Sequence, residues 1–290
     1  MSICTLLNSA DELLSLCDEA ERQQVYALID PLAGEVPGQV PDRGCGWLKN
    51  PFFSRPQQEQ LRLQSLPEGR DEARHGLNAQ MSLRAKSLQV GHPLCGWIVS
   101  QRNPQAVAYY FSRQLKQINE VGDSVLLRFY DPRVMIRLLD ILDHRQLSYL
   151  LGPIEYWCFQ DYSGVLHLIN PHQEQRAPGP IRLTTEQWKA IRRIELVNHC
   201  LQGWCEAGQP YDLRLHTKVD HLITAAQEFE ITDSSQVSAF VMDGLLVGSQ
   251  FYRHPIMHAL LKQISKSQSY IQLTRQLDES AWQLIAKGQE

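Results

Sequence analysis

Apolar positions are spaced in two different ways along this chain, and the change falls near residue 170. Before it, apolar residues come in short runs. The opening ADELLSLCDEAE, from Ser9 or Asp11, predicts a helix. Val25 to Ile29 is almost continuously apolar and stops at Asp30-Pro31. That pattern predicts a strand buried on both faces and closed by a turn. Leu94 to Val99 predicts another strand. Asn103-Pro104 then opens a helix, because Asn caps and Pro gives up an N–H that the first helical position leaves unused. Val107, Phe111, Leu115 and Ile118 continue it as one apolar stripe. Val125 to Tyr130 reads as a strand feeding a helix that Asp131 caps and Pro132 begins, with Val134, Leu138 and Ile141 (or Leu142) on its buried face. A strand feeding a helix directly predicts βαβ grammar and a parallel sheet. LGPIEYWCFQ and GVLHLI predict two further strands joined by a polar QDYSG turn.

Two stretches lack this regularity. Residues 33–87 are rich in Gly and Pro early and polar later, which predicts a long irregular insertion with one short helix near Pro56 to Leu66. Residues 171–180 form a Pro/Gly/polar linker. Beyond it the spacing is helical throughout. Thr184 caps a helix carrying Trp188, Ile191, Ile194, Leu201 and Trp204. Asp212 and Asp233 open two more, and HPIMHALLKQI and DESAWQLIAK complete the set. The expected fold is therefore an α/β (α+β) lobe with a small central sheet over residues 1–170, followed by an all-α lobe over 181–290.

Composition adds exclusions. The chain has 290 residues, 43% hydrophobic and 21% charged, which is ordinary globular usage. Its 28 basic and 32 acidic side chains leave a net charge of −4. Residues 176–290 hold 12 of each sign, so the first 175 carry the whole excess. No basic field is present, which argues against nucleic acid and anionic membrane as partners. The N-terminus has no basic segment ahead of an apolar one, and no apolar run is long enough to span a bilayer. A cytoplasmic location is expected. Seven cysteines, none in a CxxC pair, suit reduced thiols, and Cys158 and Cys200 sit inside apolar patterns.

The candidate chemistry is sparse. Asp30 and Asp131 each precede a proline where a strand is expected to end, and Arg128 lies close to one of them. Such a pair can serve acid/base chemistry, and a hydrolase or phosphodiesterase using Asp30, Asp131 and Arg128 is one reading. Capping and turn formation explain the same aspartates with no further role. Arg128, placed in a buried strand, needs a partner such as Asp30 or Glu155. His254 and His258 share a helical face, but HPIMH lacks the Glu of a zinc protease. Cys200 and Cys205 lie near His199 without a second ligand pair. No cofactor or metal is expected, and no GxSxG, Walker A, GxGxxG or HExxH occurs.

One set of motifs goes further. Leu28 to Pro31, RFYDPRV at Arg128 to Val134 (with Tyr130, Asp131, Pro132 and Arg133 at its centre), Gln146, and GPIEYW from Gly152 and Pro153 to Trp157 follow one another in order. Together, over about residues 24–160, they resemble the adaptor chaperones that load effectors onto the spike of the bacterial type VI secretion system. The resemblance implies a non-enzymatic protein whose partners are a secreted effector and the C-terminal region of the valine–glycine-repeat spike protein (VgrG). It also implies a helical C-terminal part that varies with cargo. Such a role needs two binding surfaces, and large aromatic side chains make the best anchors. Candidates are Trp47, Phe52 and Phe53 in the insertion, and Trp204, Phe251 and Tyr252 in the helical lobe.

Overall fold

A computed structural model describes residues 4–18, 23–37, 44–171, 181–264 and 268–288. The chain divides into two compact units, residues 1–191 and 192–290. Of the expected linker at 171–180, all but Pro171 lies outside the described residues.

The first unit is built on a mixed α/β core. Its strands are β1 (Cys4–Leu7), β2 (Gln24–Ile29), β3 (Gly46–Leu48), β4 (Leu61–Ser65), β5 (Leu94–Ser100), β6 (Lys116–Ile118), β7 (Ser124–Leu126), β8 (Tyr156–Gln160) and β9 (Leu166–Ile169). Its helices are α1 (Ala10–Asp18), α2 (Arg70–Met81), α3 (Pro104–Gln114), α4 (Pro132–Ile141) and α5 (His144–Leu151). Seven strands form one sheet in the order β1-β9-β8-β5-β2-β4-β3, while β6 and β7 pair apart from it. Every pairing is antiparallel.

The antiparallel sheet corrects the parallel βαβ expectation. The apolar runs arise because helices cover both faces, so each run is two period-2 patterns interleaved. In β2, Tyr26 and Leu28 join a core with Val107 and Phe111 of α3, Met135 and Leu138 of α4, and Leu147 and Leu150 of α5. Val25, Ala27 and Ile29 point the other way, to Leu13 of α1 and Leu77 of α2. In β5, Ile98 takes the first side and Trp97 and Val99 the second. An aromatic group locks the first core. Phe111 meets Phe129 edge-on at 5.2 Å, and Trp157 lies 6.0 Å from Phe111 and 6.1 Å from Phe129.

Four local expectations are also corrected. The 33–87 segment is not an irregular insertion: it supplies β3, β4 and α2, and β4 pairs with β2 from Tyr26↔Ser65 to Ile29↔Arg62. The expected helix near 56–66 is a single 3-10 turn, Gln57–Glu59, followed by that strand. The expected strand at 125–130 ends at Leu126, and residues 127–130 form the bend into α4. Helix α3 likewise stops at Gln114, so Ile118 falls in β6 and is exposed. The hairpin of β8 and β9 through Asp161 to Gly164 matches expectation.

The chain continues into helices α6 (Thr185–Glu206), α7 (Arg214–Glu228), α8 (Ser234–Val247), α9 (Pro255–Leu261), α10 (Tyr270–Thr274) and α11 (Glu279–Lys287). The division between the units falls inside α6. In the second unit Phe240 is the hub, with Phe251, Tyr252 and Tyr270 at 4.8, 6.0 and 5.3 Å. The Tyr270 hydroxyl donates to Asp243 Oδ2 at 2.5 Å. Arg193 donates through two nitrogens to the Asp220 carboxylate at 2.7 and 3.1 Å, tying α6 to α7. Asp233 and Asp278 cap α8 and α11.

Candidate functional site

The RFYDPRV junction uses its carboxylate completely. Asp131 caps α4, with Pro132 at the first helical position, and is 3% exposed. Oδ1 accepts the Arg133 backbone N–H at 3.1 Å and Arg133 Nε at 2.9 Å. Oδ2 accepts Arg133 Nη2 at 2.6 Å and Arg128 Nη2 at 3.0 Å. Those four bonds fill the acceptor capacity of a carboxylate. Arg133 also donates Nη1 to the Leu88 carbonyl at 3.1 Å, pinning the chain ahead of β5 to the start of α4. Arg128 therefore differs from expectation. It lies in the bend, its side chain is 47% exposed, and its partner is Asp131. Its guanidinium carbon sits 5.9 Å from the Tyr130 ring centroid.

The remaining motif residues also hold the frame. Gly152 ends α5 at φ +58°, and a Cβ there would meet the Tyr110 ring at 2.1 Å. No residue with a side chain satisfies both conditions. Tyr110 in turn donates its hydroxyl to the Tyr149 carbonyl. The Pro153 carbonyl accepts Ser100 Oγ at 2.8 Å, and Trp157 is fully buried. Gln146 completes a capping box with Asp143. It also exchanges amide hydrogen bonds with Gln187, at 2.9 and 2.7 Å, clamping the start of α5 to the start of α6.

Asp30 is placed differently. Its Oδ1 accepts the Leu32 N–H at 3.1 Å, and Pro31 begins the turn that follows β2. The half-buried carboxyl lines a groove of about 340 Å³ with Arg55, Arg128, Tyr130, Phe53 and Leu48. Burial pushes its pKa above the ordinary aspartate range, against the Leu32 N–H and the Arg128 charge, which pull it down. Burial raises the Tyr130 hydroxyl to about 12. Asp131 does not line this groove, so the two aspartates do not present a pair of open carboxylates to one ligand.

Residues 47–53 begin in β3, at the edge of the sheet, and separate two grooves. Leu48, Asn50 and Phe53 face the Asp30 groove. Trp47, Lys49 and Pro51 face a second one, of about 640 Å³, whose other wall is Gln105, Tyr109, Ser112, Arg113 and Lys116. A bend at residues 51–52, where Asn50 Oδ1 accepts the Phe52 N–H, precedes Phe53. From Trp47 to Pro51 the alternation is that of an extended chain. Close approach to α3 fixes it: a Cβ on Gly46 would lie 2.0 Å from the Pro104 carbonyl oxygen. Gln105 Nε2 donates to the Cys45 carbonyl at 3.1 Å, and the Lys49 N–H donates to Ser112 Oγ at 2.9 Å. Trp47 is half-buried under Arg62, Phe52 is partly exposed and Phe53 is 60% exposed.

The aromatic candidates of the second unit are interior residues, which corrects their reading as surface anchors. Phe251 is fully buried against Phe240, and Tyr252 is buried with its hydroxyl 3.2 Å from His221 Nε2. Trp204 is buried and donates Nε1 to the Pro210 carbonyl at 3.0 Å. His254 caps α9, accepting the Ile256 N–H.

His167 is buried, with Nε2 2.8 Å from Asp161 Oδ2 and Nδ1 3.8 Å from Sγ of the half-buried Cys4. Asp161 also accepts Ser163 Oγ at 2.6 Å and the Val165 N–H at 3.0 Å. Burial works against its charge, but these donors outweigh it and hold the carboxyl below the ordinary range. A Cys–His–Asp order has the outline of a nucleophile relay. Burial, however, pushes the Cys4 thiol up to about 11, the reverse of what a poised nucleophile needs. Among the described residues no group of three or more His, Cys, Asp or Glu is arranged to hold a metal, and no helix is long and apolar enough to cross a membrane.

Residues 25–149, from β2 into α5, match the family model described as a domain of unknown function, DUF4123. The match covers somewhat less than half of the chain and includes the Asp30 turn, both grooves and the RFYDPRV junction. No curated protein and no solved structure matches the chain.

Proposed function

We propose that this chain is a non-enzymatic cytoplasmic adaptor that binds a type VI secretion effector and helps to load it onto the C-terminal region of the VgrG spike. The match of residues 25–149 to DUF4123, a family associated with effector loading in that system, is the observation that carries this reading. The geometry is consistent with it in a specific way. Asp131 and Arg133, at the centre of the most chemistry-like motif, spend their side-chain hydrogen bonds inside the frame. Lys49, Arg113 and Lys116, which form no ion pair with a described residue, lie on the outside of that frame around one groove. A scaffold that holds binding surfaces needs that division.

A hydrolase or phosphodiesterase is the competing reading. Its support is the half-buried Asp30 carboxyl beside Arg55 and Arg128 in a groove. Two experiments separate the readings. A tagged chain expressed with a candidate effector and spike protein should recover both in stoichiometric amount under the adaptor reading. Recovery of neither contradicts it. Asp131→Asn should lower the melting temperature while no turnover of phosphodiester or ester substrates is found in either form. A measurable activity that Asp131→Asn abolishes at unchanged stability would favour the hydrolase.

A further inference from the structure

The larger groove is lined by positive charge. Lys49, Arg113 and Lys116 are exposed around it, and none of them forms an ion pair with a described residue. Among the described residues no acidic one lines it, although the protein as a whole carries a net charge of −4. Its floor is largely apolar, made by Trp47 and by Tyr109, which is 68% exposed. Gln105, Tyr109, Ser112 and Arg113 lie on the face of α3 opposite its buried stripe of Val107, Ala108 and Phe111, and Lys116 opens β6 just past the end of the helix.

From this geometry we infer that the groove is a docking site for an extended acidic peptide segment that also carries a large apolar or aromatic side chain. Three unpaired cations over a low-polarity floor recognise carboxylates, and the exposed faces of Tyr109 and Trp47 take an apolar side chain between them. The wall formed by residues 47–51 is already extended and held to α3 by the Lys49 N–H and Gln105 Nε2 bonds, so little ordering is needed on binding. A nucleic acid is disfavoured, because three cations on a net-acidic protein make a short patch and no track along a phosphate backbone. The inference rests on the adaptor reading for its biological setting, and it names the chemistry of one partner segment.

The test uses the full chain and a fluorescein-labelled twelve-residue peptide containing four Glu and two Phe among Gly and Ser, followed by fluorescence anisotropy. Three comparison probes are the same peptide with Lys for Glu, the same with Ala for Phe, and a twelve-nucleotide thymidine oligomer. The acidic–aromatic peptide should bind more tightly than all three, and binding should weaken as salt is raised. Lys49→Glu, Arg113→Glu and Lys116→Glu combined should weaken it at least tenfold, and Tyr109→Ser alone several-fold, with melting temperatures close to the parent. No binding, binding unchanged in the triple variant, or equal binding of the oligomer would overturn the inference. Recovery of effector and spike is then repeated with the triple variant. If the wild-type and triple-variant chains recover both proteins equally and the peptide does not bind, the groove assignment fails and the adaptor reading stands. If the peptide binds as expected and the wild-type chain recovers neither protein, the adaptor reading fails and the groove assignment stands.

Discussion

The RFYDPRV junction and the segment at 47–53 lie in the same unit and carry similar kinds of residue, yet the fold uses them in opposite ways. At the junction, Asp131 is buried and accepts four hydrogen bonds from two arginines and a helix N–H. Along the segment, Lys49 and Phe53 point outward, and Lys49 ends in solvent with no described acidic partner. The motif marks where the frame is held. The segment with little pattern carries what remains free to meet another molecule. A conspicuous charged motif is thus evidence of architecture as readily as of chemistry, and bonding capacity decides between them.

Substitutions can break this contrast. The largest loss is expected at the junction and its companion turn. Asp131→Ala leaves Arg133 nearly buried without its partner and removes the cap of α4, which should cost roughly 3 kcal/mol and lower the melting temperature by about 6–12 °C for a unit of this size. Gly152→Ala should cost on the order of 3 kcal/mol, because a strained backbone and the Tyr110 ring oppose it together. Calorimetry checks both, and a shift under about 1 °C in either would contradict the framing role. Phe53→Ser should change stability by no more than about 0.5 kcal/mol, since the ring is exposed.

A smaller effect comes from protons and sharpens the same contrast. Burial raises the folded-state pKa of Asp30 above its unfolded value. The native state then holds the extra proton between the two values, so this group's contribution to stability falls as pH rises through that window. Asp161 is shifted down, so its contribution is present above the ordinary aspartate pKa and is lost as pH falls through the folded value. Asp30→Asn should therefore raise the melting temperature slightly at neutral pH, and Asp161→Asn should lower it. Thermal melts between pH 3 and 7 read both signs, and a stabilising Asp161→Asn would contradict the buried His167 arrangement.

Much of the fold was legible because its signals are local. The Asn103 and Asp131 caps, the Pro that follows each, and the β8–β9 hairpin follow from single residues and their neighbours. The segment from 33 to 87 was not, for two physical reasons. In β4 the alternation of Leu61 and Leu63 with Arg62 and Gln64 covers only five residues, too short to stand out in a polar region. In α2 the inward positions are Ala73, Gly76, Leu77 and Gln80, so half of the buried stripe is not apolar. Gln80 is inside because it accepts the Trp97 indole N–H at 2.7 Å, a long-range bond that no local pattern announces. The site was legible in part. Trp47 and Phe53 were identified by residue type, but Trp204, Phe251 and Tyr252 share that type and are core. The outer stripe of α3 was readable as i, i+4, i+8 from Gln105 to Arg113, but only the tertiary packing of β3 on that helix makes a groove of it.

Hydrogen–deuterium exchange on the full chain, alone and with a co-purified effector or spike protein, tests the contrast most directly. The account predicts new protection centred on residues 47–53 and 105–116, with no change at 128–134. Protection gathered around Asp30 and the RFYDPRV junction, with none along 47–53, would contradict it.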